Sequence, residues 1–97
     1  MYMHQVFIKP KEGILPSQLE YMCSNVGLLL GIPGVISATA SPNLSSERTN
    51  GFTYGITVIL DRKESLEPYK HHPNHKLFAE RFVHPIRDDN QVFDQEI

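Results

Sequence analysis

The sequence predicts an α+β domain whose strands and helices follow the order βαββαβ, with the strands in one four-stranded antiparallel sheet. Apolar residues alternate with a period of two near the start, the middle and the end of the chain, which indicates strands. Apolar residues recur at helical spacing after the first strand, and two shorter helical patterns precede the last strand. Grouping these two short helices as one crossover gives the ferredoxin-like arrangement, in which the first and third strands are central neighbours.

The first strand is predicted over residues 2–9, where side chains alternate between two largely apolar faces. His4, Val6 and Ile8 share one face, and Phe7 lies on the other. Because both faces are apolar, we expect this strand to be covered on both sides.

The long helix is predicted over residues 16–30, between Pro16 in its first turn and a stop at Gly31 and Pro33. Its apolar residues recur at the i, i+3, i+4, i+7 spacing of a single stripe. The stripe consists of Leu19, Met22, Cys23, Val26, Leu29 and Leu30. We interpret it as the face that packs on the sheet.

The middle of the chain contains two strands separated by a polar loop. The second strand is predicted over residues 34–40, the loop over residues 41–50 and the third strand over residues 52–60. Tyr54 and Val58 share the helix-covered face of the third strand, so we expect Tyr54 to lie near His4.

The first short helix is predicted to begin at Asp61, with Glu64 in the capping-box position three residues later. It would carry Leu66 and Tyr69. Pro68 removes a backbone donor, so we expect it to end or kink this segment just before Tyr69.

The second short helix is predicted to begin near Pro73, a residue that suits the first helical position, and to end before Pro85. His75 and Phe78 would share one of its faces. The last strand is predicted over residues 90–96.

Composition excludes several functional classes. The 97 residues predict a single domain over residues 1–97, and a net charge of −2 argues against a nucleic-acid surface. The chain has no apolar run long enough for a membrane span, and its N-terminal residues do not resemble a signal peptide. Cys23 is the only cysteine, which excludes an internal disulfide and predicts a cytoplasmic protein.

Residues 69–75 are the strongest candidate site, because they hold a tyrosine and three of the five histidines. With Pro73 at the first helical position, His75 falls in the first turn, where the helix dipole disfavours an imidazolium. A neutral imidazole can act as a general base, with Tyr69 as its partner. The alternative is a structural turn in which the imidazole bonds to backbone, and His72 is expected to brace that turn.

The predicted helices and sheet would enclose an apolar pocket for a small apolar or aromatic ligand. Its predicted lining is His4, Val6, Ile8, Met22, Val26, Tyr54, Val58, His72 and Phe78. A base here could remove a proton next to a carbonyl, and a tyrosine could stabilise the enolate, without a cofactor. We predict no metal site, because Pro73 interrupts the helical spacing of His71 and His75 and no carboxylate or cysteine lies nearby in sequence.

The sheet face that carries Phe7 and Ile59 has no predicted helix to cover it. A second copy of the chain is the obvious cover, so the sequence predicts a homodimer built through this face.

Several motifs together resemble one protein family over nearly the whole chain. They include HQVFIK at residues 4–9, IPGV at residues 32–35 and GFTY at residues 51–54. The most specific is Tyr69-X-X-His72-Pro73-X-His75-X-X-Phe78, followed by a terminal strand with Asp94. On these motifs the chain resembles the stress-responsive α/β-barrel (Dabb) family.

The resemblance implies a dimeric α+β barrel, in which the sheets of two ferredoxin-like subunits close together. Many members are described only as stress-responsive. Others are enzymes, including polyketide cyclases of the olivetolic acid cyclase type, in which the tyrosine and last histidine of this motif are catalytic. The resemblance therefore implies catalytic roles for Tyr69 and His75, or a non-catalytic dimer in which the same motif is structural.

Overall fold

The computed structural model describes residues 1–97 and contains one sheet of four strands. These are β1 (Tyr2–Pro10), β2 (Val35–Pro42), β3 (Tyr54–Leu60) and β4 (Arg87–Glu96). Their spatial order is β2-β3-β1-β4, and every neighbouring pair is antiparallel. This is the ferredoxin-like order, so the predicted fold class is confirmed.

The helical segments are short and cover one face of the sheet. They are α1 (Pro16–Ser24), a 3-10 segment (Val26–Gly31), a 3-10 turn (Lys63–Ser65), α2 (Leu66–His71), α3 (Pro73–Phe78) and a π-helical turn (Ala79–Val83). None of these helices has the length and hydrophobicity that a membrane-spanning segment requires. The core between the helices and the sheet includes five fully buried side chains, Ile8, Met22, Leu29, Val58 and Leu60.

The prediction of one continuous helix over residues 16–30 was wrong, because α1 ends at Ser24. The carbonyl of Tyr21 accepts hydrogen bonds from the Ser24 hydroxyl (3.0 Å) and the Asn25 side-chain amide (2.7 Å). Such local side-chain bonds compete with the helical ladder. The chain continues as the tighter 3-10 segment, which still directs Leu29 into the core.

The predicted capping box at Asp61 and Glu64 is absent. Asp61 instead accepts a hydrogen bond from the Ser65 hydroxyl (2.5 Å), and α2 begins only at Leu66. Pro68 therefore occupies the first turn of α2, where backbone donors have no partner within the helix, so it neither ends nor kinks this segment. Tyr69 follows it within the same helix and is buried.

The register of the sheet separates two residues that we expected to be close. His4 lies opposite Val58 on β3, whereas Tyr54 lies opposite Ile8. The separation is four residues along β1, about 13 Å at the usual strand rise. On its other side, His4 faces Asp94 of β4.

The sheet face opposite the helices, here called the open face, contains both apolar and polar side chains. Phe7 covers Gly55, where an added Cβ would approach the Phe7 ring to 3.5 Å. Phe93 of β4 is 51 % exposed on the same face, in the pair opposite Gln5. The Gln5 amide donates to the Thr57 hydroxyl (3.1 Å), so the open face is more polar than a plain apolar patch.

Candidate functional site

A cavity of about 140 Å³ lies between the helices and the sheet beside the buried core. Its wall combines apolar side chains with three histidines, a tyrosine and two further polar residues. The lining residues are His4, Val6, Leu29, Ile56, Tyr69, His75, Phe78, Ala79, Val83, His84, Arg87 and Asn90. A volume of this size holds a single aromatic ring.

Three rings meet at one end of the cavity and form what we call the ring cluster: His4, Tyr69 and His75. The centroids of His4 and Tyr69 are 5.8 Å apart, and those of Tyr69 and His75 are 4.8 Å apart, both in edge-to-face geometry. Tyr69 reaches the cluster from α2, and His75 from the first turn of α3. The turn at residues 72–73 thus brings the tyrosine and the histidine of the motif into contact.

Tyr69 presents a free hydroxyl to the cavity. The residue is 3 % exposed, and burial raises the pKa of the hydroxyl far above its ordinary value, so it stays protonated near neutral pH. No protein group hydrogen-bonds this hydroxyl. Every fully enclosed polar side-chain atom has a hydrogen-bond partner, so the Tyr69 oxygen is not fully enclosed. The hydroxyl therefore reaches the cavity, where it can donate to a ligand oxygen.

His4 is held by a carboxylate from the edge strand. Its Nδ1 lies 2.6 Å from Oδ1 of Asp94, and Tyr2 donates its hydroxyl to Oδ2 of the same residue (3.0 Å). A carboxylate on Nδ1 favours the tautomer with a proton on that nitrogen, leaving Nε2 available. This pairing fixes the orientation of a histidine that is 6 % exposed.

Burial lowers the pKa of His75 below its ordinary value, and positive charge on the nearby His4 lowers it further. A hydrogen bond to the backbone carbonyl of Lys70 acts in the opposite direction. The lowered pKa of His75 agrees with the direction expected from the sequence. Its main cause is burial, however, and not the helix dipole from which it was expected. His75 is neutral near pH 7, as a general base must be.

The lowered pKa of His75 predicts a pH dependence of folding. Well above pH 6.5, the ordinary pKa of histidine, His75 is neutral in both the folded and unfolded states and contributes no slope. As the pH falls below this value, the unfolded chain takes up the proton more readily, so the free energy of unfolding decreases until the lower folded pKa is passed. Urea denaturation of the wild type and of His75→Gln over this pH range measures the effect.

His75→Gln is expected to show a shallower decrease than the wild type. The comparison variant is His71→Gln, because the His71 side chain is 75 % exposed and its charge makes only the smallest contribution to lowering the pKa of His75, so it should change the slope much less than His75→Gln does. An equally steep decrease in wild type and His75→Gln would show that His75 is not the group responsible.

His72 supports the turn, as the sequence analysis expected. Its Nδ1 accepts a hydrogen bond from the backbone N–H of Asn74 (3.0 Å), which makes it the N-cap of α3. The Asn74 side-chain amide donates to the carbonyl of Leu28 (3.0 Å) and ties this turn to the 3-10 segment. His72 does not line the cavity.

The structure brings only part of the predicted lining to the cavity. Val6 and Phe78 line it together with the ring cluster. Ile8, Met22 and Val58 do not, because all three are sealed in the core with no exposed surface. Val26 and Tyr54 are half-buried residues that pack against the core away from the cavity. The strand register explains the position of Tyr54, and the change to 3-10 geometry explains that of Val26.

Asp94 and the polar residues His84, Arg87 and Asn90 were not among the site residues predicted from the sequence. The ferredoxin-like order already makes β1 and β4 neighbours, so a buried histidine on β1 was a signal to look for a carboxylate on β4. The partner could not be chosen without the register, because no short hairpin joins these two strands. No cluster of three or more His, Cys, Asp or Glu side chains suited to a metal ion is present.

Solved structures with the same fold include a dimer and an enzyme. A dimeric ferredoxin-like protein of unknown function from Thermobifida fusca has a TM-score of 0.83 and 18% identity, covering 99% of this chain and 90% of that one. The hydroxynitrile lyase from Passiflora edulis has a TM-score of 0.82 and 21% identity, covering 99% and 92%. At these identities the similarity shows a shared fold.

Sequence comparison identifies the family. A stress-response A/B barrel domain-containing protein of Arabidopsis thaliana is 28% identical over 91 residues, which are 94% of this chain and 35% of that protein. The chain thus spans about a third of the length of this curated relative. The profile of the Stress responsive A/B Barrel Domain (Dabb) matches residues 3–97. The chain belongs to the Dabb family.

Proposed function

We propose that this protein is a cofactor-free enzyme that removes a proton next to a ketone carbonyl and uses the resulting enolate for an intramolecular cyclisation, as polyketide cyclases do. His75 is the general base and Tyr69 stabilises the enolate oxygen. The main support for this proposal is the position of Tyr69. Its ring lies between the rings of His4 and His75 at a largely apolar cavity, and no protein group hydrogen-bonds its hydroxyl.

Each proposed step uses a side chain in the protonation state that the step requires. His75 takes the proton from the carbon next to the carbonyl, and Tyr69 donates a hydrogen bond to the oxygen on which negative charge develops. The enolate carbon then forms a bond to a second carbonyl carbon of the same molecule. The new alkoxide takes back the proton from the His75 imidazolium, so no oxidant, reductant or metal is required.

The Asp94–His4 pair supports the same chemistry from the sheet side. Asp94 fixes the His4 ring through Nδ1, and the opposite ring nitrogen remains free for a substrate oxygen or a proton. A positive charge on His4 lowers the pKa of His75. We therefore assign His4 to substrate binding and Asp94 to positioning His4.

We further propose that the protein works as a homodimer through the open face. The support comes from Phe7 and Ile59 on that face, from the 51 % exposure of Phe93, and from a fold neighbour that is described as dimeric. All of β4 from Asp88 onward is exposed in the single chain, so a partner has an apolar and polar surface to cover.

A second candidate function is a non-catalytic dimer that binds a small ligand or serves in a stress response. The observation that favours it is the cavity volume of about 140 Å³, which is below the several hundred Å³ usual for ligand pockets. The curated relative is likewise described as a stress-response protein. In this case Tyr69 and His75 stabilise the turn between α2 and α3.

Proton exchange separates the two functions without the natural substrate. Acetophenone in D2O has exchangeable methyl protons next to its carbonyl, and its single ring matches the cavity volume. The enzyme proposal predicts protein-dependent loss of the methyl proton signal in the NMR spectrum, and none with His75→Ala. Saturable binding without any exchange above the buffer rate would favour the non-catalytic dimer instead.

A further inference from the structure

The end of the cavity away from the ring cluster has a polar mouth formed by His84, Arg87 and Asn90. His84 and Asn90 are exposed, and Arg87 is half-buried. His84 follows the π-helical turn, while Arg87 and Asn90 belong to the start of β4. The mouth is therefore built by both the helical layer and the sheet.

Arg87 differs from the other three arginines, which are all exposed at Arg48, Arg62 and Arg81. It takes part in no salt bridge, although Asp88 and Asp89 follow it directly in the chain. Asp89 instead accepts a hydrogen bond from the backbone N–H of Asn90 (2.8 Å). A half-buried arginine that lines a largely apolar cavity and forms no salt bridge within the chain is suited to bind an external anion. Its planar fork matches a carboxylate with two parallel hydrogen bonds.

The ring cluster and the mouth lie at opposite ends of one cavity. His4 faces Asp94 and Ile8 faces Asn90 across the same strand pair. Those positions are four residues apart on β1, which is about 13 Å of strand, and Arg87 faces Pro10, about 20 Å of strand from His4. The long side chains of Arg87 and Tyr69 shorten the distance between their polar ends. One aromatic ring or a short alkyl chain can therefore connect a group at the mouth to a group at the ring cluster.

We propose that the cavity selects keto acids: the carboxylate binds Arg87 at the mouth, with Asn90 and His84 beside it, and the ketone carbonyl reaches Tyr69 and His75. This inference rests on the proposed function of the ring cluster and adds a substrate class to it. Binding of the substrate carboxylate at the mouth also holds the reacting carbon in place at the ring cluster.

The test compares 4-acetylbenzoate with 4-acetylbenzamide, which share the ring and the methyl ketone and differ in charge. Binding to the full chain is measured by NMR titration of backbone amides for the wild type, Arg87→Gln, Arg87→Lys and Arg62→Gln. We expect the acid to bind the wild type about tenfold more tightly than the amide, as one charge-assisted contact provides. Arg87→Gln should remove this preference, Arg87→Lys should reduce it, and Arg62→Gln should keep it.

Each other outcome overturns the proposal in a recognisable way. Equal affinities of acid and amide for the wild type would refute carboxylate recognition and leave ketone binding at Tyr69 intact. A preference for the acid that survives in Arg87→Gln would assign the carboxylate to another cation. If neither probe binds, both this inference and the proposed function fail together.

Discussion

His75→Ala is expected to abolish proton exchange from a bound methyl ketone while the protein remains folded. Burial lowers the pKa of His75 and keeps its imidazole neutral beside Tyr69, so the substitution removes the proposed general base. The half-buried imidazole contributes little to the core, because it packs on the cavity side of α3. The measurements are exchange rates by NMR and the free energy of unfolding by urea denaturation.

Tyr69→Phe is the companion variant, because it removes only the hydroxyl and retains the ring. Its exchange rate should decrease by a factor of about 10² to 10⁴, the usual contribution of a positioned proton donor. Its stability should stay close to that of the wild type, since no protein group hydrogen-bonds the hydroxyl. An unchanged rate in Tyr69→Phe would exclude Tyr69 from the reaction.

His72→Ala serves as the structural control three residues away. Loss of its side chain removes the cap on the Asn74 N–H, which should decrease the free energy of unfolding by about 1 kcal/mol. Exchange per folded molecule should persist in this variant. The opposite pattern, with His75→Ala unfolded and His72→Ala unaffected in stability, would exchange the two roles.

Phe7→Asp is expected to convert the proposed homodimer into a monomer. Phe7 lies on the open face above Gly55, so the new carboxylate would be buried without a partner when a second copy covers this face. We expect the dissociation constant to increase at least about a hundredfold, which is the effect of a few kcal/mol. Sedimentation at micromolar concentration should give twice the 11.1 kDa chain mass for the wild type and a single chain mass for the variant.

Ile59→Asp tests the same face from β3 and should behave like Phe7→Asp. Ser45→Asp and Ser46→Asp are the matched controls, because both serines lie in an exposed loop and accept a charge without burial. These controls should sediment as dimers with unchanged melting temperatures. A monomeric wild type would refute the dimer. A dimeric wild type with equal sedimentation of Phe7→Asp and Ser45→Asp would show that the dimer contact lies on another surface.

Much of the fold could be predicted because the strands are strongly patterned. The alternation in residues 2–9 and 52–60 predicts both central strands, and the positions of Pro73 and Pro85 bound the second short helix. The predicted boundaries were wrong where a polar side chain formed a hydrogen bond with a nearby residue. Ser24 and Asn25 interrupt the long helix in this way, and Asp61 bonds Ser65 where a cap was expected. Apolar periodicity carries no information about these polar contacts.

The parts of the candidate site that depend on local sequence could be predicted. The parts that depend on the register between strands could not. The motif at residues 69–75 alone brings Tyr69 and His75 together, because a short turn connects α2 and α3. The distance of Tyr54 from His4 and the pairing of His4 with Asp94 depend on how distant strands align. Both faces of β1 are largely apolar, so its pattern does not fix that alignment.

If a ligand binds in the cavity beside the ring cluster, a larger side chain that fills this cavity should prevent binding. Ala79 lines the cavity and is half-buried, so Ala79→Leu adds apolar volume where the ligand would lie. Titration with acetophenone, followed through the His75 ring resonances, should saturate for the wild type. For Ala79→Leu it should show no saturation, while the melting temperature is unchanged or higher. Equal binding by the two proteins, or no binding to the wild type, would show that this cavity is not the binding site.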